Sequence, residues 1–81
     1  MVSIALEAHF EKQLTKLTHK PFLLKIIKQM LKIIDNPEIG KPMRNLRKGT
    51  RELYISPYRL SYLYEEEKIT FLELYHKDEQ S

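Results

Sequence analysis

Three side chains in the C-terminal third could do chemistry together: Arg59, midway along a strand-like run, and His76 and Lys77 at the end of the next. Arg51, on the run before, adds a second guanidinium. An arginine inside a strand needs water, an acid or a phosphate. An internal ion pair with Glu52 or Glu73 is one way to satisfy it, and a phosphate ligand is the other. Set side by side, a guanidinium, an imidazole and an ammonium suit cleavage of RNA by its own 2′-hydroxyl. A base removes the hydroxyl proton, cations offset the charge on the pentacoordinate phosphorane, and an acid protonates the departing 5′-oxygen. Histidine titrates near neutrality and can serve as either acid or base, while Arg and Lys supply fixed positive charge.

The charge distribution supports an anionic partner more than the total does. Fourteen Lys and Arg against eleven acids give a net charge of only +3. Between Lys41 and Arg59, however, lie Lys41, Arg44, Arg47, Lys48, Arg51 and Arg59 against the single acid Glu52. Such a local excess suits a phosphate backbone, with a merely solvated loop as the alternative. Other chemistries find little support. His9, His19 and His76 are far apart and without metal-ligand spacing, and there is no cysteine, so neither a metal nor a cofactor is expected. Gly40 and Gly49 are the only glycines, too few for a nucleotide-binding loop. The apolar stretch Ile26 to Ile34 is broken by Lys28, Gln29 and Lys32, so no membrane span is expected. No secretory signal is read at the N-terminus, and with the absent cysteines this suggests a cytoplasmic setting.

The elements that must position these residues follow from periodicity. With 81 residues, 42% of them apolar, the expectation is one domain over residues 1–81. Val2 to Leu6 alternates as a short strand. Leu6, Phe10, Leu14 and Leu17 then form a helical stripe, giving a helix over roughly 7–17. Thr18 or His19 caps a second helix with Pro21 in its first turn, and Asn36-Pro37 stops it. Its expected buried face holds Leu23, Ile26, Ile27, Met30, Leu31 and Ile34, with Lys25, Lys28, Gln29 and Lys32 outside. Residues 38–50 read as a loop or ragged edge strand. Arg51 to Ser56, Tyr58 to Tyr64 and Ile69 to Tyr75 read as strands, with Pro57 and Glu65–Lys68 as turns. The expected fold is α+β in the order β-α-α-β-β-β, an antiparallel sheet with an N-terminal helical hairpin packed on one face.

Strict alternation assigns faces. Tyr58, Leu60, Tyr62 and Tyr64 share one side of their strand; Arg59, Ser61 and Leu63 share the other. In the last strand Ile69, Phe71 and Tyr75 go together, opposite Thr70, Leu72, Leu74 and His76. The helices can cover only one side. This leaves Leu63, Leu72 and Leu74 beside Arg59 and His76 on a mixed apolar and basic face, suited to binding. A C-terminal tail folded over those leucines is the alternative.

In this order the motifs resemble the RelE/ParE toxin superfamily. The helical run Phe10-Glu11-Lys12-Gln13-Leu14-Thr15-Lys16-Leu17, then Asn36-Pro37, Gly40-Lys41-Pro42-Met43 and Gly49-Thr50-Arg51-Glu52-Leu53 follow its pattern. Tyr58-Arg59-Leu60-Ser61-Tyr62 looks like its Y-R-hydrophobic-x-Y strand, and Tyr75-His76-Lys77-Asp78 like its terminal element. The resemblance implies a cytoplasmic type II toxin held inactive by a cognate antitoxin, in a toxin–antitoxin hetero-oligomer. In the RelE-like branch it implies a metal-independent endoribonuclease cutting mRNA on the ribosome. Carried over by position, Arg59 contacts the scissile phosphate, His76 is acid or base and Lys77 supports charge. Lys41, Arg44, Arg47, Lys48 and Arg51 hold the RNA backbone. The chain departs from that branch where Glu52 and Tyr54 stand on a strand that often carries lysines. No glutamate stands in Lys41–Met43, and no terminal tyrosine precedes Ser81. The ParE branch, whose members inhibit DNA gyrase, and an inactive antitoxin-binding module are the alternatives.

Overall fold

The computed structural model describes residues 2–44 and 46–76. The elements are β1 (Ser3–Leu6), α1 (Ala8–Lys16), α2 (Lys20–Asp35), β2 (Lys41–Pro42), β3 (Thr50–Ile55), β4 (Tyr58–Glu65) and β5 (Lys68–His76). They form a five-stranded sheet in the order β1-β5-β4-β3-β2. The α+β class and the helices on one face are as expected from sequence. Two features extend that expectation. Lys41–Pro42 supplies a fifth strand at one edge, and β1 pairs with β5 in parallel at the other. A parallel partner requires a long crossover, which the excursion through both helices provides.

The core forms where β4 and β5 meet the helices. Phe10, Ile26 and Ile33 pack against Ile55, Leu60, Tyr62, Ile69, Phe71 and Leu74. The Phe10 and Phe71 rings stack with centroids 5.9 Å apart. His19 caps α2 as its spacing suggests, its Nδ1 accepting from the Phe22 N–H at 3.3 Å, with Pro21 in the first turn. The chain leaving α2 is tied down from below by the sheet. Tyr62 is fully buried; its hydroxyl donates to the Pro37 carbonyl at 2.7 Å and accepts from the Gly40 N–H at 2.8 Å. Burial raises its phenol pKa, and the Gly40 N–H and the Arg51 charge partly offset the rise. A Cβ on Gly40 would lie 2.5 Å from that hydroxyl, so only glycine allows this approach.

The β4–β5 ladder contains a slip that strict alternation does not foresee. Ser61 pairs with Glu73 but Tyr62 pairs with Phe71, leaving Leu72 as the extra residue of a bulge. Beyond it the faces of β5 exchange. Leu74, expected opposite Phe71, is buried with Phe71 against the helices, and His76 follows it to that side. Tyr75, expected with Phe71, turns to the opposite, helix-free face. The bulge lies where β5 has lost its β1 partner, since β1 pairs only with Lys68 to Phe71. Gln13 of α1 takes over there: its amide donates to the Leu74 carbonyl at 2.7 Å and accepts from the Leu74 N–H at 2.8 Å. One side chain thus replaces a rung of ladder on an otherwise open edge.

Gln13→Ala removes both bonds and leaves a partly buried peptide group without partners. A loss of about 1–3 kcal/mol in unfolding free energy is expected. Urea denaturation measures it, and an unchanged midpoint would mean that water substitutes fully for the amide.

Candidate functional site

The helix-free face is built from alternate residues of three strands, and cross-strand register decides who meets whom. Glu52 of β3 lies opposite Ser61 of β4, and Arg59 lies between Tyr54 of β3 and Tyr75 of β5. Glu52 and Arg59 are therefore diagonal neighbours, and the small Ser61 between them leaves room for the two long chains to close. Arg59 Nη1 donates to Glu52 Oε1 at 2.6 Å, and the Tyr75 hydroxyl donates to the other carboxylate oxygen. The Arg59 guanidinium carbon stands 6.0 Å from the centre of the Tyr54 ring, whose exposed edge forms the rim.

This arrangement is a nearly neutral cluster rather than a bare cation. The side chains of Glu52 and Arg59 are 13% and 30% exposed, so their attraction is less screened than that of a surface pair. Burial pushes the Tyr75 phenol up to about 12, reinforced by its hydrogen bond to Glu52 and the negative charges of Glu52 and Glu73, and opposed by Arg59. Of the alternatives open to Arg59, the ion pair with Glu52 is the one formed. Its Nε is buried and has no hydrogen-bond partner among the described residues.

The structure does not bring together the residues read from sequence as one catalytic group. His76 stands on the helix side, its ring edge-on to Tyr58 at 5.5 Å, and Tyr58 in turn leans on Phe22 of α2 at 5.4 Å. Arg59 is on the other side, so the sheet itself separates the imidazole from the guanidinium. The cause is the Leu72 bulge, which reverses the phase assumed for β5. Lys77 lies outside the described residues. Of the expected RNA-binding set, Arg51 also turns to the helix side, where Nη1 donates to the carbonyls of Gly40 at 2.7 Å and Glu38 at 3.0 Å. It braces the turn after α2. Arg47 pairs with Glu65. Lys41 is exposed on β2 opposite Glu52, and Arg44 and Lys48 are exposed in the β2–β3 connection. A concavity of about 430 Å³ opens there, lined by Arg44, Leu46 and Lys48. Tyr54 and Tyr75 were not among the site residues expected from sequence; only a register containing the bulge places Tyr75 beside Arg59.

Among the described residues no group of three or more His, Cys, Asp or Glu side chains could hold a metal ion. Among the described residues no helix is long and apolar enough to cross a membrane.

Comparison with known proteins places this scaffold. The family model described as the ParE toxin of the type II toxin–antitoxin system parDE matches residues 4–81. The chain belongs to that family. No curated protein matches the sequence. Among solved structures, the Escherichia coli DinJ–YafQ complex superposes with a TM-score of 0.80 at 19% identity, over 99% of this chain and 98% of that one. The isolated E. coli RelE toxin gives 0.77 at 15% identity, over 94% and 84%. The YoeB/ParE toxin from Agrobacterium tumefaciens gives 0.78 at 11% identity, over 93% and 98%. At these identities the structural matches establish the fold alone.

The Tyr75 phenol has a spectroscopic signature. Between the ordinary tyrosine value of 10.0 and about 12, the folded state keeps a proton that the unfolded state has lost, so this group makes stability fall as pH rises through that window. Ultraviolet titration should show a late phenol, and Glu52→Gln should lower its midpoint while leaving the share due to burial. An unchanged titration curve would mean that Tyr75 does not donate to Glu52.

Proposed function

We propose that this member of the toxin family acts in the cytoplasm by binding its target through the helix-free face, and does not cut RNA. The carrying observation is the separation of His76 from Arg59 by the thickness of the sheet, with Arg59 already paired to Glu52. Proton transfer requires acid and base within hydrogen-bond reach of the reacting atoms, and the His76 imidazole pairs in register with Tyr58 on the helix side, away from the guanidinium. The ParE family match supports DNA gyrase as the target, as the resemblance implies. A cognate antitoxin is the proposed partner in a hetero-oligomer, supported by the solved DinJ–YafQ complex.

Ribosome-dependent mRNA cleavage is the second reading. It is favoured by the unpartnered Nε of Arg59, which an RNA phosphate could accept once Glu52 is displaced, and by the exposed Lys41, Arg44 and Lys48 beyond it. In that reading Arg59 holds the phosphate, with His76 and Lys77 in the acid–base and charge-supporting roles.

Induced expression should arrest growth, inhibit gyrase supercoiling in vitro and leave mRNA 5′ ends unchanged by primer extension. His76→Ala should remain toxic. New mRNA ends within minutes of induction, lost in both Arg59→Ala and His76→Ala, would replace the binding reading with the nuclease.

A further inference from the structure

Glu52 occupies the place that an oxyanion would take on the helix-free face. Its carboxylate is held at both oxygens, by Arg59 Nη1 at 2.6 Å on one and by the Tyr75 hydroxyl on the other. A guanidinium N–H and a phenol O–H are donors that phosphate oxygens accept equally well. The donor set is also larger than the carboxylate uses. Arg59 Nε is buried and has no partner among the described residues. A tetrahedral oxyanion brings further oxygens that a planar carboxylate lacks.

Charge and access point the same way. Lys41 is exposed on β2 in register with Glu52, so a fixed positive charge stands at the edge of the cluster. The other acids of these strands are engaged elsewhere: Glu65 pairs with Arg47, and Glu73 lies 3.5 Å from His9. The Arg59 side chain is 30% exposed against 13% for Glu52, so solvent reaches the guanidinium from the side that the carboxylate leaves open. A purely structural ion pair would not need the spare donor. A carboxylate fixed on the neighbouring strand competes intramolecularly, with an advantage over any dissolved anion. An anion that displaced it would leave a largely buried carboxylate without its cation.

We infer that Glu52 is an internal stand-in for phosphate, a specificity-determining residue that keeps the Arg59 receptor closed to phosphate groups. The inference rests on the reading of the helix-free face as the binding surface, and it names what that face refuses.

The test uses the full chain, with inorganic phosphate and a short oligoribonucleotide as probes against chloride at matched ionic strength. In the parent chain neither Tm nor the Arg59 Nε–H resonance should respond to phosphate beyond the chloride control. Glu52→Gln keeps the shape of the side chain and removes its charge. It should bind phosphate at least about tenfold more tightly than the parent, shifting the Arg59 Nε–H resonance and raising Tm with phosphate concentration. Glu52→Ala opens the site by a second route and should behave alike. Glu52→Gln/Arg59→Gln should lose the gain, and Tyr75→Phe, which leaves the carboxylate on Arg59, should stay closed. If the oligoribonucleotide gains affinity together with phosphate, the excluded group is a nucleic-acid backbone; if phosphate alone gains, it is a free phosphate. Saturable phosphate binding by the parent, no gain in either Glu52 variant, or a gain that survives loss of Arg59 would overturn the proposal. Gyrase inhibition by the parent chain is measured separately, so a failure of the closure and a failure of the binding reading are distinguishable.

Discussion

Between Ser61 and Tyr62 the pairing with β5 slips by one residue, and the placement of every functional candidate in the last strand follows from that slip. A bulge is tolerated only where the lost pairing is repaired or exposed to water. Here the parallel strand β1 ends at the Leu6–Phe71 pair, just before the extra residue, and the Gln13 amide takes both polar groups of Leu74 just after it. Leu74 can then turn into the core, which seats the end of β5 beneath α1. The same rotation carries Tyr75 to the helix-free face and His76 away from it. Packing at Leu74 and chemistry at Arg59 are therefore two consequences of one backbone event.

The helix-free face derives its character from what that rotation delivers. With Tyr75 beside it, Glu52 is held by a phenol on one oxygen and a guanidinium on the other, and Arg59 is held between Glu52 and the Tyr54 ring. A free guanidinium would attract any phosphate. One closed by a mostly buried carboxylate discriminates, because an incoming anion must displace that carboxylate and leave it to find other partners. Arg44 and Lys48 are exposed in the β2–β3 connection, while Lys41 is exposed on β2 opposite Glu52, at the edge of the cluster.

The far side of the molecule follows the same economy of partners. Arg51 and Tyr62 spend their polar groups on the carbonyls and N–H of the turn after α2, so the helix is fixed at its C-terminal end by the sheet beneath it. Fixing its axis also fixes which of its apolar residues reach the core. The sheet accommodates the arc from Phe22 to Ile34 and leaves Leu24, Ile27 and Leu31 in water.

Much of this was legible in the residues themselves. The alternation of Tyr58 to Tyr64, the stripe Phe10, Leu14 and Leu17, the His19–Pro21 start and the Asn36–Pro37 stop are local signals, and local geometry obeys them because propensity and capping act over a few residues. Arg59 as the focus of its face, and Glu52 as its possible counter-ion, were legible for the same reason, since both lie on strands whose period is unbroken. What tertiary structure alone decided was the register of β5, the parallel edge of β1 and the share of α2 that is buried. Each depends on partners more than thirty residues away in sequence, such as Gln13 for Leu74 and Ile4 for Ile69. A period of two carries no record of where one residue will be skipped, so sequence placed His76 with Arg59. The sheet, paired as it must be to bury Leu74, placed Tyr75 there instead.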